Sequence, residues 1–206
     1  MEQNIIYFAD LFGTCIFAIT GAVAGIHKKL DLLGVIVLSC TTGVGGGIFR
    51  DCALGATPCG ALTNGTYLLL CILTGLTVFR IPRKILNKGS QIIVYFDAVG
   101  LGVFTAIGTA KALQYDLPQV AVVLAGIMTA VGGGVIRDIL INTTPAVLKQ
   151  DFYATASLFG GISYLILKHF GLELFPLFMI VSLEVMSIRL LAYHYKVQLP
   201  KANTFD

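Results

Sequence analysis

Apolar residues run along this chain in long blocks separated by short polar clusters. Blocks can be drawn at about 5–25, 32–55, 61–79, 91–111, 118–142, 152–168 and 173–194. Each is close to the ~20 residues a helix needs to cross a bilayer. The pattern predicts an all-α integral membrane protein of seven transmembrane helices, with almost no chain left over for a soluble domain. The first block is as long as the later ones and Met1-Glu2-Gln3-Asn4 has no basic stretch, so it is read as a span and not as a cleavable signal.

The chain is also self-similar. An offset of 87 residues superposes Asp10 on Asp97, Gly13 on Gly100, Phe17 on Phe104 and Gly21 on Gly108; without a gap it continues through Gly45-Gly46-Gly47 on Gly132-Gly133-Gly134, Arg50-Asp51 on Arg137-Asp138, and Thr57-Pro58 on Thr144-Pro145. An internal duplication follows. Each copy holds three spans, an odd number, so the second copy must enter the membrane upside down, as an inverted 3+3 repeat. The expected organisation is one transmembrane domain over 1–206: repeat one at 5–79, a basic linker at 80–90, repeat two at 91–168, and an added seventh span at 173–194.

Composition agrees with the pattern: 56% of residues are hydrophobic, 12% are charged and the mean hydropathy is +0.86. Charge then sets orientation through the excess of Lys and Arg in cytoplasmic connections. Lys28, Lys29, Arg80, Arg83, Lys84, Lys88, Lys149, Lys196 and Lys201 fall on one side, and only Lys111 and Lys168 on the other. This places the N-terminus outside and the C-terminus in the cytoplasm. The net charge of +3 is mostly this bias and gives no separate reason to invoke nucleic acid.

Three consecutive glycines inside a span need a reason. Glycine costs about 1 kcal/mol relative to alanine in a helix interior, and unpaired backbone survives in a membrane only where it is buried in protein or meets water. Spans two and five are therefore expected to be broken at Gly45–Gly47 and Gly132–Gly134, with freed carbonyls available to a cation. The alternative is close helix packing through small residues.

Charged side chains in a span are expensive and usually face an interior or an aqueous path. Arg50, Asp51, Arg137 and Asp138 are read either as a structural clasp or headgroup-level pairs, or as pairs that exchange partners, Arg50 with Asp138 and Arg137 with Asp51. Asp10 and Asp97 suit an interfacial position or a conduction path. Lys111, which aligns with Ala24, reads as a snorkelling lysine or as a gate. Glu184 and Arg189 read as anchors, with Arg189 snorkelling.

Enzyme signatures are missing: His27, His169 and His194 have no companion nucleophile, there is no HExxH, and GVGGGIFRD lacks the GK[ST] ending of a phosphate loop. Cys15, Cys40, Cys52, Cys59 and Cys71 show neither CxxC nor Cys/His ligand spacing and read as small apolar residues. No cofactor is expected, and no metal beyond a permeating ion.

Two copies of GGGxxRD on seven spans resemble the prokaryotic TRIC (trimeric intracellular cation channel) family, also called UPF0126 and the glycine transporter domain family. The resemblance runs from Tyr7 to about Tyr195. It implies a homotrimer in the bacterial inner membrane with a pore in each protomer, lined by broken second and fifth spans. It also implies potassium, and sodium, as permeant ions. Carried onto this chain, the pore residues are Thr41, Thr42, Gly45, Gly46, Gly47, Thr129, Gly132, Gly133 and Gly134, with Arg50, Asp51, Arg137, Asp138 and Lys111 as a charge clasp or gate. The rival reading is a carrier of glycine or another small amino acid, since broken inverted-repeat helices also serve transporters. A weaker third is a lipid-packing scaffold without conduction.

Overall fold

A computed structural model of the chain describes residues 2–82, 89–149 and 152–197. Arg83, Lys84, Lys88, most of the 80–90 linker, and Lys201 lie outside them. The described residues form helices α1 (Glu2–His27), α2 (Leu32–Ala53), α3 (Gly60–Thr63), α4 (Thr66–Phe79), α5 (Gly89–Ala112), α6 (Gln119–Leu140), α7 (Ala146–Lys149), α8 (Ala154–His169) and α9 (Leu174–Tyr195).

Among the described residues five stretches are long and apolar enough to cross a membrane: Ile5–His27, Leu32–Ala53, Gln91–Tyr115, Gln119–Leu140 and Leu174–Tyr195. The expected third and sixth spans are shorter than the sequence pattern implied. Helix α4 has 14 residues and α8 has 16, or roughly 21–24 Å at the α-helical rise, against a hydrocarbon core of about 30 Å. Each is preceded by a four-residue helix, α3 or α7. In the first copy Asn64 and Gly65 interrupt the apolar run, and the Asn64 carboxamide oxygen accepts from Thr66 N, the first amide of α4, at 3.1 Å.

Packing follows the duplication. Helices α1, α2 and α4 contact one another, as do α5, α6 and α8; the two triads meet through α1 against α5 and α2 against α6, and α9 lies on α5 and α8. The largest apolar cluster, including Phe17, Leu101, Phe104, Ile107, Tyr153, Tyr164, Leu177 and Val181, fills the space around α5. Phe17 and Phe104, equivalent under the repeat, meet at 5.1 Å between ring centroids.

Local signals start and stop these helices. Asp31 caps α2, its Oδ1 accepting from Gly34 N at 2.7 Å. Because that group satisfies an orphan amide of the first turn, Asp31→Ala is expected to lower stability by ~1 kcal/mol, read as a lower melting temperature in detergent.

The expected breaks are not formed. Helix α2 runs uninterrupted through Gly45–Gly47, and α6 through Gly132–Gly134. The glycines instead let the two helices touch. A Cβ on Gly46 would collide with the carbonyl oxygen of Thr129, one on Gly133 with that of Thr42, and one on Gly132 would lie 3.1 Å from Gly46 Cα. A Cβ on Gly45 would meet Ile136 Cδ1 at 2.7 Å. The run exceeds one packing face because successive glycines serve different neighbours: Gly134 has the Tyr153 hydroxyl 3.0 Å from its Cβ position, while Gly47 meets only Arg50 Nη2, at 3.8 Å. The threonines agree with closed helices. Thr42 and Thr129 are fully buried and their hydroxyls donate to Leu38 O and Ala125 O, each at 2.6 Å. Thr41 Oγ1 likewise donates to Val37 O at 2.9 Å.

Candidate functional site: two copies of a charged cluster

The C-terminal ends of α2 and α6 are built alike. Leu54 N donates to Arg50 O at 2.9 Å and Ile141 N to Arg137 O at 3.1 Å; Ala56 N donates to Asp51 O and Thr143 N to Asp138 O, each at 2.8 Å. Between them Gly55 and Asn142 take left-handed φ values of 70° and 53°, a conformation suited to glycine and tolerated by asparagine. The turn brings the next short helix back under the aspartate. Gly60 N donates to Asp51 Oδ2 at 3.0 Å, and Ala146 N to Asp138 Oδ2 at 2.8 Å.

Each aspartate then holds the arginine before it. Arg50 reaches Asp51 Oδ1 through Nε and Nη2, both at 2.8 Å; Arg137 Nε reaches Asp138 Oδ1 at 3.0 Å. The expected exchange of partners between copies is absent from these pairs. Arginine and aspartate are neighbours at the end of one helix, and the returning amide fixes each carboxylate beside its own arginine.

Beyond that shared frame the copies diverge. In the second, Asp97 accepts from Arg137 Nη1 at 2.6 Å and Nη2 at 3.0 Å, a two-pronged pair, and from the Tyr153 hydroxyl at 3.3 Å. Arg137 Nη1 also donates to Thr20 Oγ1 at 2.9 Å, and Arg189 lies 5.0 Å from the centre of the Tyr153 ring. Asp97, Arg137, Tyr153 and Arg189 are all buried within the protein, which corrects the snorkelling reading of Arg189. Glu184 is half-buried and accepts from Ser163 Oγ at 2.8 Å.

In the first copy the equivalent aspartate, Asp10, is only partly buried and accepts from the Tyr67 hydroxyl at 3.0 Å. It makes no ion pair with Arg50, and Arg50 Nη1 is buried without a hydrogen-bond partner. Lys111 crosses from α5 to Asp51 Oδ1 at 2.8 Å, so it is an ion-pair partner and not a lone snorkelling lysine. The space left between these groups is a cavity of about 120 Å³, bordered by Asp10, Thr14, Gly47, Arg50, Tyr67 and Lys111 among others. At the corresponding place in the second copy Tyr153, Asp97 and Arg137 are buried and bonded to one another.

Sequence reasoning missed Tyr67 and Tyr153. They match at an offset of 86, not 87, because one residue is lost after the Thr-Pro step, and the same shift relates Gly60 to Ala146. A gapped alignment of the two halves would have found them.

The sequence profile of the family described as "Glycine transporter" matches this chain twice, at residues 7–83 and 94–169. A UPF0126 membrane protein of Vibrio cholerae is 34% identical over 200 residues, spanning 97% of this chain and 84% of its own length. The UPF0126 inner membrane protein YadS of Escherichia coli K12 is 34% identical over 197 residues, 95% of each chain. The crystal structure of the TRIC trimeric intracellular cation channel orthologue from Rhodobacter sphaeroides superposes with a TM-score of 0.88 at 31% identity, covering 95% of this chain and 100% of that one. This chain belongs to the prokaryotic TRIC family, the group also named UPF0126. It is an all-helical integral membrane protein of the inner membrane type, and each half of the doubled profile match contains one of the two charged clusters.

Proposed function

We propose that the chain is a monovalent cation channel, passing potassium and also sodium, with a conduction path inside each protomer of a homotrimer embedded in membrane lipid. Its single domain is an inverted pair of three-helix units joined by the basic 80–90 linker, with α9 as the seventh span and α4 and α8 as short crossings. The N-terminus is outside and the C-terminus cytoplasmic. The first cluster then faces outside and the second faces the cytoplasm.

The observation that carries this reading is the same Asp-Arg-Asp-Tyr constellation occurring twice about one helix crossing, bordering a cavity in the first copy and joined by a buried ion pair in the second. A cation entering from outside would exchange part of its hydration shell for oxygens of Asp10, Tyr67 and Thr14. Asp10 and Asp51 balance Arg50 and Lys111, so the cavity carries no net positive barrier. The path continues along the α2–α6 crossing, past Thr41, Thr42 and Gly45–Gly47 to Thr129 and Gly132–Gly134. The Asp97–Arg137–Tyr153 group closes it on the cytoplasmic side. With the helices unbroken, carbonyls freed at the glycines are no longer part of the mechanism; the glycines bring two backbones together beside the path.

Asp51 tests the electrostatic part. It holds two cations, and an uncompensated unit charge at 4 Å is worth about 4 kcal/mol at a near-surface effective dielectric of 20. Asp51→Asn should therefore lower single-channel potassium conductance about tenfold, the equivalent of ~1.4 kcal/mol of added barrier. Unaltered conductance would sink this role for the clasp.

A second reading keeps one observation on its side. An outside-open, inside-closed inverted repeat with a free Arg50 Nη1 is also what a carrier for glycine, or another small amino acid, would present to a carboxylate. Planar-bilayer recording separates the two. Unitary steps reversing near the potassium equilibrium potential support the channel; a silent bilayer together with saturable glycine uptake into vesicles supports the carrier.

A further inference from the structure

Cys52 and Cys59, read from the sequence as small apolar residues, have their sulfurs 3.7 Å apart. Cys52 stands exposed on the last turn of α2; Cys59 is 5% exposed and precedes α3. The backbone holds them together: Ala56 N on Asp51 O and Gly60 N on Asp51 Oδ2 fold residues 52–59 into a ring whose two ends already touch. The second copy makes the same turn with Ile139 at the position of Cys52 and no cysteine before Ala146, the counterpart of Gly60. The sulfurs are thus not what forms the connection, and the pair is an addition to it.

We infer that Cys52 and Cys59 are a reversible dithiol that closes to a disulfide at the rim of the open cavity. The oxidant is a small-molecule or protein disulfide, reached by thiol exchange. The Cys52 thiolate attacks one sulfur of that disulfide, giving a mixed disulfide and releasing the first thiolate. Deprotonated Cys59 then attacks Cys52 Sγ and releases the second. Two protein thiols are oxidised, one external disulfide is reduced to two thiols, and the two protons end on those products. The sulfurs must close from 3.7 Å to about 2.05 Å, and the exposed Cys52 side chain is the one with room to rotate. On the proposed orientation this end of α2 faces the oxidising side of the membrane.

The bond would tie α3 to the end of α2. Gly60 and Ala61 of α3 border the cavity, and Gly60 N is the amide that fixes Asp51. Oxidation therefore clamps the rim that positions Arg50 and Lys111. This regulatory half rests on the channel reading, whereas the thiol chemistry does not.

The experiment treats the purified full chain in lipid vesicles with oxidised glutathione, then denatures it, alkylates free thiols and maps them by peptide mass spectrometry. The expected result is joint loss of alkylation at Cys52 and Cys59 without a glutathione adduct, reversed by dithiothreitol, and a trapped glutathione on Cys52 in Cys59→Ser. Wild type that keeps both thiols free, or that retains glutathione on Cys52 as Cys59→Ser does, would overturn the dithiol. Potassium flux should fall severalfold on oxidation in wild type and stay level in Cys52→Ser. Equal flux in both redox states of wild type would overturn the clamp; absent flux in the reduced protein strikes the channel reading instead, and the thiol map still decides the dithiol.

Discussion

Gly133→Ala is expected to destabilise the protein by about 1–3 kcal/mol, the usual range for overpacking a filled interior. The added methyl would occupy space held by the Thr42 carbonyl, with Phe17 Cδ2 at 3.2 Å on its other side. A backbone carbonyl cannot rotate away as a side chain can, so α2 and α6 must move apart. Alanine gains up to ~1 kcal/mol in helix propensity over glycine, which offsets part of the cost without reversing its sign. Gly47→Ala is the internal control. Its Cβ would meet only Arg50 Nη2 at 3.8 Å, an ordinary contact, so propensity decides and stability should hold or rise slightly. Thermal unfolding of both variants in one detergent reads the difference. If Gly47→Ala melts as early as Gly133→Ala, the triplets are conserving backbone freedom and close packing is the wrong account of them.

That contrast marks where the sequence was informative. The duplication was visible because Asp10/Asp97, the glycine triplets and the Arg-Asp pairs share one ungapped offset, and the apolar blocks located the five long helices and, with overlong bounds, the shorter α4 and α8. Whether Gly45–Gly47 break a helix or admit a neighbour was not visible. Both outcomes need the same residue type, and what separates them is the Thr129 carbonyl, a group 83 positions away along the chain. Side-chain partners were hidden for a related reason. Lys111 has no equivalent in the first copy, so symmetry could not pair it, and its bond to Asp51 joins the fourth block to the second. Tyr67 and Tyr153 escaped because a one-residue deletion took them off the offset that found everything else. Arg189, outside the repeat, had no counterpart to suggest that it packs over Tyr153.

Asp97→Asn is expected to lower stability and raise cation flux together. Removing one partner of a buried ion pair costs ~3–5 kcal/mol when the other is left uncompensated. Here Arg137 keeps Asp138 at 3.0 Å and Thr20 at 2.9 Å, which argues for the lower end of that range. The asparagine keeps one acceptor oxygen where the carboxylate has two, so the two-pronged pair with Arg137 cannot form, and it loses the charge that attracts the guanidinium. If the Asp97–Arg137–Tyr153 group holds the cytoplasmic end shut, its weakening shifts the closed–open balance toward open by the closed state's share of the lost energy. Open probability in a planar bilayer should then rise severalfold while the melting temperature falls. Asp10→Asn separates this from a general loss of packing. Asp10 sits at the equivalent position but has no arginine partner and an open cavity beside it, so its substitution should cost little stability. On the proposed path the open cavity precedes the closure, so Asp10→Asn should reduce conductance without raising open probability. A rise in open probability in Asp97→Asn alone, with lowered conductance in Asp10→Asn, requires an asymmetric pair of clusters with one closed end; equal effects would mean that both aspartates serve only to hold the helices together.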